Sequence, residues 1–124
     1  GDDGLDEITV TGVTHICELK DGDLKCYDIK PEDYGLHQYV ATDIKGGDAR
    51  WNAAAILRLL QGEPGARRDA AVLNAAAALK AADVIDSFAE GINMAADAID
   101  SGRALASLEK FIEVSQMLEA RRAS

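Results

Sequence analysis

Thr14-His15-Ile16-Cys17-Glu18-Leu19-Lys20-Asp21-Gly22-Asp23-Leu24-Lys25-Cys26-Tyr27-Asp28-Ile29 is the stretch from which the fold is read. Two alternating runs flank Asp21-Gly22, a pair favoured in two-residue hairpin turns because both positions tolerate positive φ. That turn predicts the register: Lys20 opposite Asp23, Glu18 opposite Lys25, Cys17 opposite Cys26. Opposite charges then meet twice across the strands, which supports the pairing independently. Cys17, Leu19, Leu24 and Cys26 share one face of this hairpin, and Glu18, Lys20 and Lys25 share the other. Cys17 and Cys26 become neighbours at a non-hydrogen-bonded pair, with Cα atoms roughly 4.5 Å apart. That separation permits a disulfide, but a reducing compartment makes two free thiols packed side by side the expectation.

Upstream, Ile8-Thr9-Val10-Thr11 is β-branched throughout and reads as a short strand closed by Gly12. Downstream, Lys30-Pro31-Glu32-Asp33-Tyr34-Gly35 reads as one helical turn, with Pro31 at its first position and Gly35 ending it. A loop through Thr42-Asp43-Ile44-Lys45 reaches Gly46-Gly47, where the β-rich region, 1–47, gives way to a helical region, 48–124.

Four helices are expected in that second region. Asp48 caps the first, whose stripe is Ala49, Ala53, Ile56, Leu57 and Leu60, stopped by Gly62. After Pro64-Gly65 a second runs from about Arg68 to Ala82. Ser87 caps a third, with Phe88, Ile92, Ala95 and Ile99 on one stripe, ending near Gly102. The last carries Leu105, Leu108, Phe111, Ile112, Ser115 and Leu118 and continues into Arg121-Arg122-Ala123-Ser124 without a stop signal. The second helix is so rich in alanine that it reads as apolar all round, the pattern of a helix buried at the centre of its layer. Asn74 is its polar exception, expected to bond a loop carbonyl or an adjacent helix end. The fold class expected is therefore α+β: a short strand and a β-hairpin, then four helices.

A chain of 124 residues with 48% apolar composition suits one folded domain, and 5% aromatics make its core aliphatic. A net charge of −9 with scattered basic residues argues against nucleic acid as a partner. No run approaches the ~18–20 apolar residues of a membrane span, and Gly1-Asp2-Asp3-Gly4 has no apolar signal core, so the expected compartment is the cytoplasm. Two cysteines and two histidines are too few for a closed Cys/His metal site, and no activated nucleophile is visible.

The one concentrated chemical signal is acidic: Asp2, Asp3, Asp6 and Glu7 in the first seven residues. Asp6 and Glu7 directly precede Ile8. Carboxylates in such a loop suit Mg²⁺, which takes one or two protein carboxylates together with waters and substrate phosphates. Adjacent side chains of an extended segment point to opposite sides, so the two acids can address two metals, or a metal and a second group. Composition alone supports no more than a solvated acidic loop.

Asp3-Gly4-Leu5-Asp6-Glu7-Ile8 resembles the acidic motif of the anthranilate phosphoribosyltransferases. The resemblance continues in order through Thr11-Gly12, the hairpin about Asp21-Gly22, Pro31-Glu32-Asp33-Tyr34-Gly35-Leu36 and Gly46-Gly47-Asp48-Ala49 with Asn52-Ala53. It then takes in Gly65 with Arg67-Arg68-Asp69, Leu73-Asn74-Ala75-Ala76-Ala77-Ala78-Leu79, and Ala98-Ile99-Asp100-Ser101-Gly102. It implies the C-terminal part of the α/β catalytic domain of a nucleoside-phosphorylase-type phosphoribosyltransferase over residues 1–124. Asp6 and Glu7 match the family's Mg²⁺ ligands, and the substrates implied are phosphoribosyl pyrophosphate and anthranilate, in tryptophan biosynthesis. A homodimer is implied for the full-length family.

The family's N-terminal helical domain, its glycine-rich pyrophosphate loop and its basic, asparagine-bearing segment have no match in this sequence. The chain thus corresponds to the closing third of such an enzyme. It carries no catalytic residue beyond the metal pair and is expected to be inactive alone. Alternative readings are a fold relative, such as a pyrimidine-nucleoside phosphorylase or a nucleic-acid-binding homologue, and a non-catalytic acidic interaction module.

Overall fold

A computed structural model describes residues 1–123. Among them lie a two-stranded antiparallel sheet and five helices, an α+β arrangement. Strand β1 (Thr14–Lys20) pairs with β2 (Asp23–Ile29) in the register that the Asp21-Gly22 turn dictates, from Lys20 opposite Asp23 to Thr14 opposite Ile29. Asp21 and Gly22 adopt φ of 54° and 86°, the double positive φ of the turn whose twist matches that of the strands.

The hairpin corrects one expectation. Cys17 and Cys26 are joined by a disulfide, with Cα atoms 4.1 Å apart, rather than lying as free thiols. The register brings the two sulfurs into bonding range. The hairpin's two faces also differ in what they meet. Thr14, Ile16, Glu18, Tyr27 and Ile29 turn toward the helices, whereas Leu19 and Leu24 remain about 70% exposed on the outer face.

Ile8–Thr11 does not form the expected strand. A ladder needs a parallel or antiparallel neighbour, and among the described residues none runs alongside. The backbone groups are satisfied singly instead. The Thr9 amide donates to Thr14 Oγ1, Val10 C=O accepts from the Tyr39 amide, and Thr11 C=O accepts from Gln38 Nε2. Thr9 and Val10 are nonetheless buried, so the segment threads the core without belonging to a sheet.

After a 3₁₀ turn at Pro31–Tyr34, closed by Gly35 at φ 72°, a four-residue helix α1 (Ala41–Ile44) forms where a loop was expected. Asp43 explains it: its carboxylate accepts the Val40 amide while its own amide donates to Val40 C=O, closing one turn. Helix α2 (Ala49–Leu60) starts as expected, with Asp48 Oδ1 accepting the Trp51 amide at 2.8 Å. Its inward edge is Ala55 and Leu59, four residues apart, and not Ile56 and Leu57, which stay exposed. The larger side chains had suggested the wrong edge.

Helices α3 (Ala66–Ala81) and α4 (Phe88–Asp100) make the principal helix pair. Val72, Leu73 and Ala76 face Phe88, Ile92, Ala95 and Ile99, the α4 stripe expected from sequence. Arg68 clasps Asp100 through two bonds of 2.8 and 2.9 Å, tying the start of α3 to the end of α4 and holding the Asp100 carboxyl below its usual range. Helix α3 is not buried all round: Ala78 and Ala81 are exposed. There alanine serves helix propensity rather than burial. Helix α5 (Arg103–Ala123) has no buried residue, and Phe111 and Leu118 of its stripe are exposed. Ser124 lies outside the described residues. Among the described residues no helix is long and apolar enough to cross a membrane.

Candidate metal site at the acidic loop

The acidic segment is a loop pinned on both sides of Asp6 and Glu7. On one side Asp3 Oδ2 accepts the Thr9 hydroxyl at 2.5 Å and the Thr11 hydroxyl, while Asp3 Oδ1 accepts the Leu5 amide at 3.1 Å. These donors, Thr11 foremost and then Thr9, lower the Asp3 carboxyl from 3.8 to about 2. Because the folded form titrates lower, the stabilisation from this loop staple is full above pH 3.8 and fades as pH falls toward 2. The carboxylate is exposed, so the effect on global stability is small. A carboxyl-carbon NMR titration should give Asp3 a midpoint near 2, and Thr11→Val should move it upward. A midpoint unchanged by that substitution would show the staple to be absent.

On the other side stands Asn74. Its Oδ1 accepts the Ile8 amide at 3.0 Å, and its Nδ2 donates to Ile8 C=O at 2.9 Å and to Ala70 C=O, one turn back in α3, at 2.9 Å. The expectation that this amide bonds a loop carbonyl is met. The second bond, to the amide of the same loop residue, was not foreseen.

Between these anchors Asp6 and Glu7 are exposed, and among the described residues neither carboxylate has a hydrogen-bond or ion-pair partner. Both line the rim of a cavity of about 650 Å³ between the loop, the inner hairpin face and the end of α3. Glu7 also borders a second, more apolar cavity of about 450 Å³, walled by Trp51, Ile56 and Arg67. The adjacent acids thus address partly different spaces, although the chain bends at both residues and is not the extended segment expected. Asp3 is spoken for by its threonines, and of the other acids in the cluster Asp6 and Glu7 line these cavities whereas Asp2 does not.

Sequence reading missed the far wall of the larger cavity. There Lys80 of α3 pairs with Glu18 at 3.0 Å, Tyr27 donates to the other Glu18 oxygen at 3.0 Å, and Lys20 reaches Asp83 at 3.2 Å. The Lys80 bond, then the Tyr27 bond, lower the Glu18 carboxyl, while burial and Glu18 push the Tyr27 phenol up to about 12. No group of three or more His, Cys, Asp or Glu side chains able to enclose a metal occurs among the described residues. Two free carboxylates at an open, polar rim fit a hard cation that keeps most of its waters and shares phosphate oxygens. They do not fit a closed structural site.

The family model described as "Glycosyl transferase family, a/b domain" matches residues 1–105. The chain belongs to that family. Relatives within it are anthranilate phosphoribosyltransferases. That of Methanobrevibacter smithii is 52% identical over 113 residues, covering 91% of this chain and 34% of the relative. That of Clostridium beijerinckii is 48% identical over 117 residues, covering 94% and 34%. Among solved structures, the anthranilate phosphoribosyltransferase of Thermus thermophilus superposes with a TM-score of 0.80 at 35% identity, covering 90% of this chain and 33% of that one. The Saccharomyces cerevisiae enzyme in complex with 4-fluoroanthranilate gives 0.75 at 28% identity, with 91% and 33% covered. A variant of the yeast enzyme is known with Mg bound. The chain spans about a third of the length of these relatives in the glycosyl transferase family.

Proposed function

We propose that this chain supplies the metal-bearing part of an anthranilate phosphoribosyltransferase acting in tryptophan biosynthesis in the cytoplasm. The carrying observation is that Asp6 and Glu7 lie unpartnered on one cavity rim of a chain whose relatives bear that name. In the reaction the anthranilate nitrogen bonds to the ribose C1 of phosphoribosyl pyrophosphate, the C1–O bond breaks, pyrophosphate leaves and the nitrogen gives up a proton. Mg²⁺, when bound, neutralises charge developing on the departing pyrophosphate. Asp6 and Glu7 are the residues that would hold it. The loop staples at Asp3 and Asn74 keep that pair in place before any ligand arrives, sparing the cost of ordering it later.

Titration with Mn²⁺, followed by its electron paramagnetic resonance signal, tests the assignment. The chain is expected to bind weakly alone, because hard cations of this kind rely on substrate oxygens, and more tightly with inorganic pyrophosphate. Asp6→Ala with Glu7→Ala should remove the pyrophosphate-enhanced component. Binding that survives both substitutions would place the metal elsewhere.

A further inference from the structure

We propose that Asn74 is the positioning residue of the acidic pair, its carboxamide locking the Glu7–Ile8 peptide so that the Glu7 carboxylate stays on the cavity rim. The inference rests on the reading of Asp6 and Glu7 as metal ligands.

Asn74 and Ile8 are 66 residues apart in sequence. The carboxamide meets both the N–H and the C=O of Ile8 at 3.0 and 2.9 Å, as the backbone of a neighbouring strand would. An acceptor facing the Ile8 N–H and a donor facing its C=O also fix which end of the amide is oxygen. The Ile8 nitrogen closes the peptide that begins at the Glu7 carbonyl. Holding both groups fixes the two peptide planes that flank Ile8, and with the first of them the Glu7 Cα, the atom from which the residue-7 side chain departs. The remaining Nδ2 hydrogen returns to Ala70 C=O in α3, so the amide is braced against a rigid helix rather than another loop. Asn74 borders both cavities that Glu7 borders. With Asp3 holding Leu5 and Thr9, residues 6 and 7 sit between two fixed points. Groups that orient a metal ligand from behind matter nearly as much as the ligand itself, and removing one typically weakens metal binding by ~10–100-fold.

The experiment compares the chain with Asn74→Ala, Asn74→Asp and Ile92→Val, using Mn²⁺ with inorganic pyrophosphate as the probe and amide hydrogen exchange and ¹⁵N relaxation of residues 5–9 as a second readout. Asn74→Asp retains an acceptor for the Ile8 N–H but sets a carboxylate against the Ile8 carbonyl, and it serves if Asn74→Ala fails to fold. Both Asn74 variants are expected to lose about tenfold or more in Mn²⁺ affinity, with faster Ile8 exchange and greater Asp6–Glu7 mobility. Ile92→Val, in the core of α4, lowers the melting temperature but should leave affinity and loop order unchanged. Equal losses in Ile92→Val and Asn74→Ala would reduce the role of Asn74 to stability. Unchanged Ile8 exchange and Asp6–Glu7 order in Asn74→Ala would overturn the inference. If the unmodified chain shows no pyrophosphate-dependent Mn²⁺ binding, the metal reading fails, and the loop-order comparison still decides whether Asn74 positions the pair.

Discussion

Gly91→Val is expected to be the most damaging single substitution, costing at least ~3 kcal/mol, because the α3–α4 contact has no room for a side chain there. A Cβ at Gly91 would lie 2.8 Å from both Cα and Cβ of Ala76 and 2.4 Å from Ile85 Cδ1. Ile85 can rotate away. Ala76 cannot, because it is fully buried in the middle of α3 and its Cα moves only if the helix moves. Glycine inside a helix is worth about 1 kcal/mol less than alanine, and that gain from substitution does not offset a backbone clash. Overpacking commonly costs 1–3 kcal/mol, and valine adds two further methyl groups to a contact already closed to one. With total stability on the order of 5–15 kcal/mol, a loss of that size should lower the melting temperature by roughly 10 °C or more. Thermal unfolding followed by far-UV circular dichroism measures it. Ala89→Val, exposed on the same helix, serves as the control for β-branching alone. Similar melting temperatures for the two variants would show that α3 and α4 are not packed as closely as described.

What could be read in the sequence was local. Asp21-Gly22 fixed the hairpin because turn chemistry and two cross-strand charge pairs act within a few residues, and the α4 stripe from Phe88 to Ile99 could be read from helical spacing alone. Which hairpin face turns inward was harder. Leu19 and Leu24 make the outer face look apolar, yet the inner face carries Ile16, Tyr27 and Ile29, with Glu18 among them. Glu18 is tolerated there because Lys80, from 62 positions later in the chain, neutralises it, and no local pattern announces that partner. The same holds for Ile8–Thr11. Its β-branched residues suggest a strand, but a strand is a relation between two segments, and here side chains from distant positions take the backbone bonds. Residue type and motif order identified the acidic pair of the candidate site. The Asn74 bracket and the Lys80–Glu18–Tyr27 wall come from tertiary structure, and the alternation of Ile16, Glu18 and Tyr27 on one face was the only sequence signal for that wall.

On the proposed reading, the 124-residue polypeptide by itself should convert no measurable anthranilate, and this is the second large effect expected. The reaction needs two substrates aligned and a pyrophosphate neutralised as it leaves, and each requirement depends on groups held in place beforehand. This chain contributes a carboxylate pair for one cation. The lysines that line the larger cavity, Lys80 and Lys20, are already committed to Glu18 and Asp83, so drawing either onto a phosphate would break an ion pair of the hairpin. The resemblance implies that the family's pyrophosphate loop and its basic, asparagine-bearing segment lie outside the third of the relatives that this chain spans. Losing one well-aimed electrostatic contact can lower a rate by about 10²–10³, and several are lost together here. The assay follows anthranilate fluorescence with phosphoribosyl pyrophosphate and Mg²⁺, with the complete Thermus thermophilus enzyme as reference. A rate at least ~10³-fold below the reference is expected, with the fold intact by circular dichroism. Turnover within about tenfold of the reference would mean that the groups aligning both substrates lie within these 124 residues, and that the acidic rim is a smaller part of the active site than proposed.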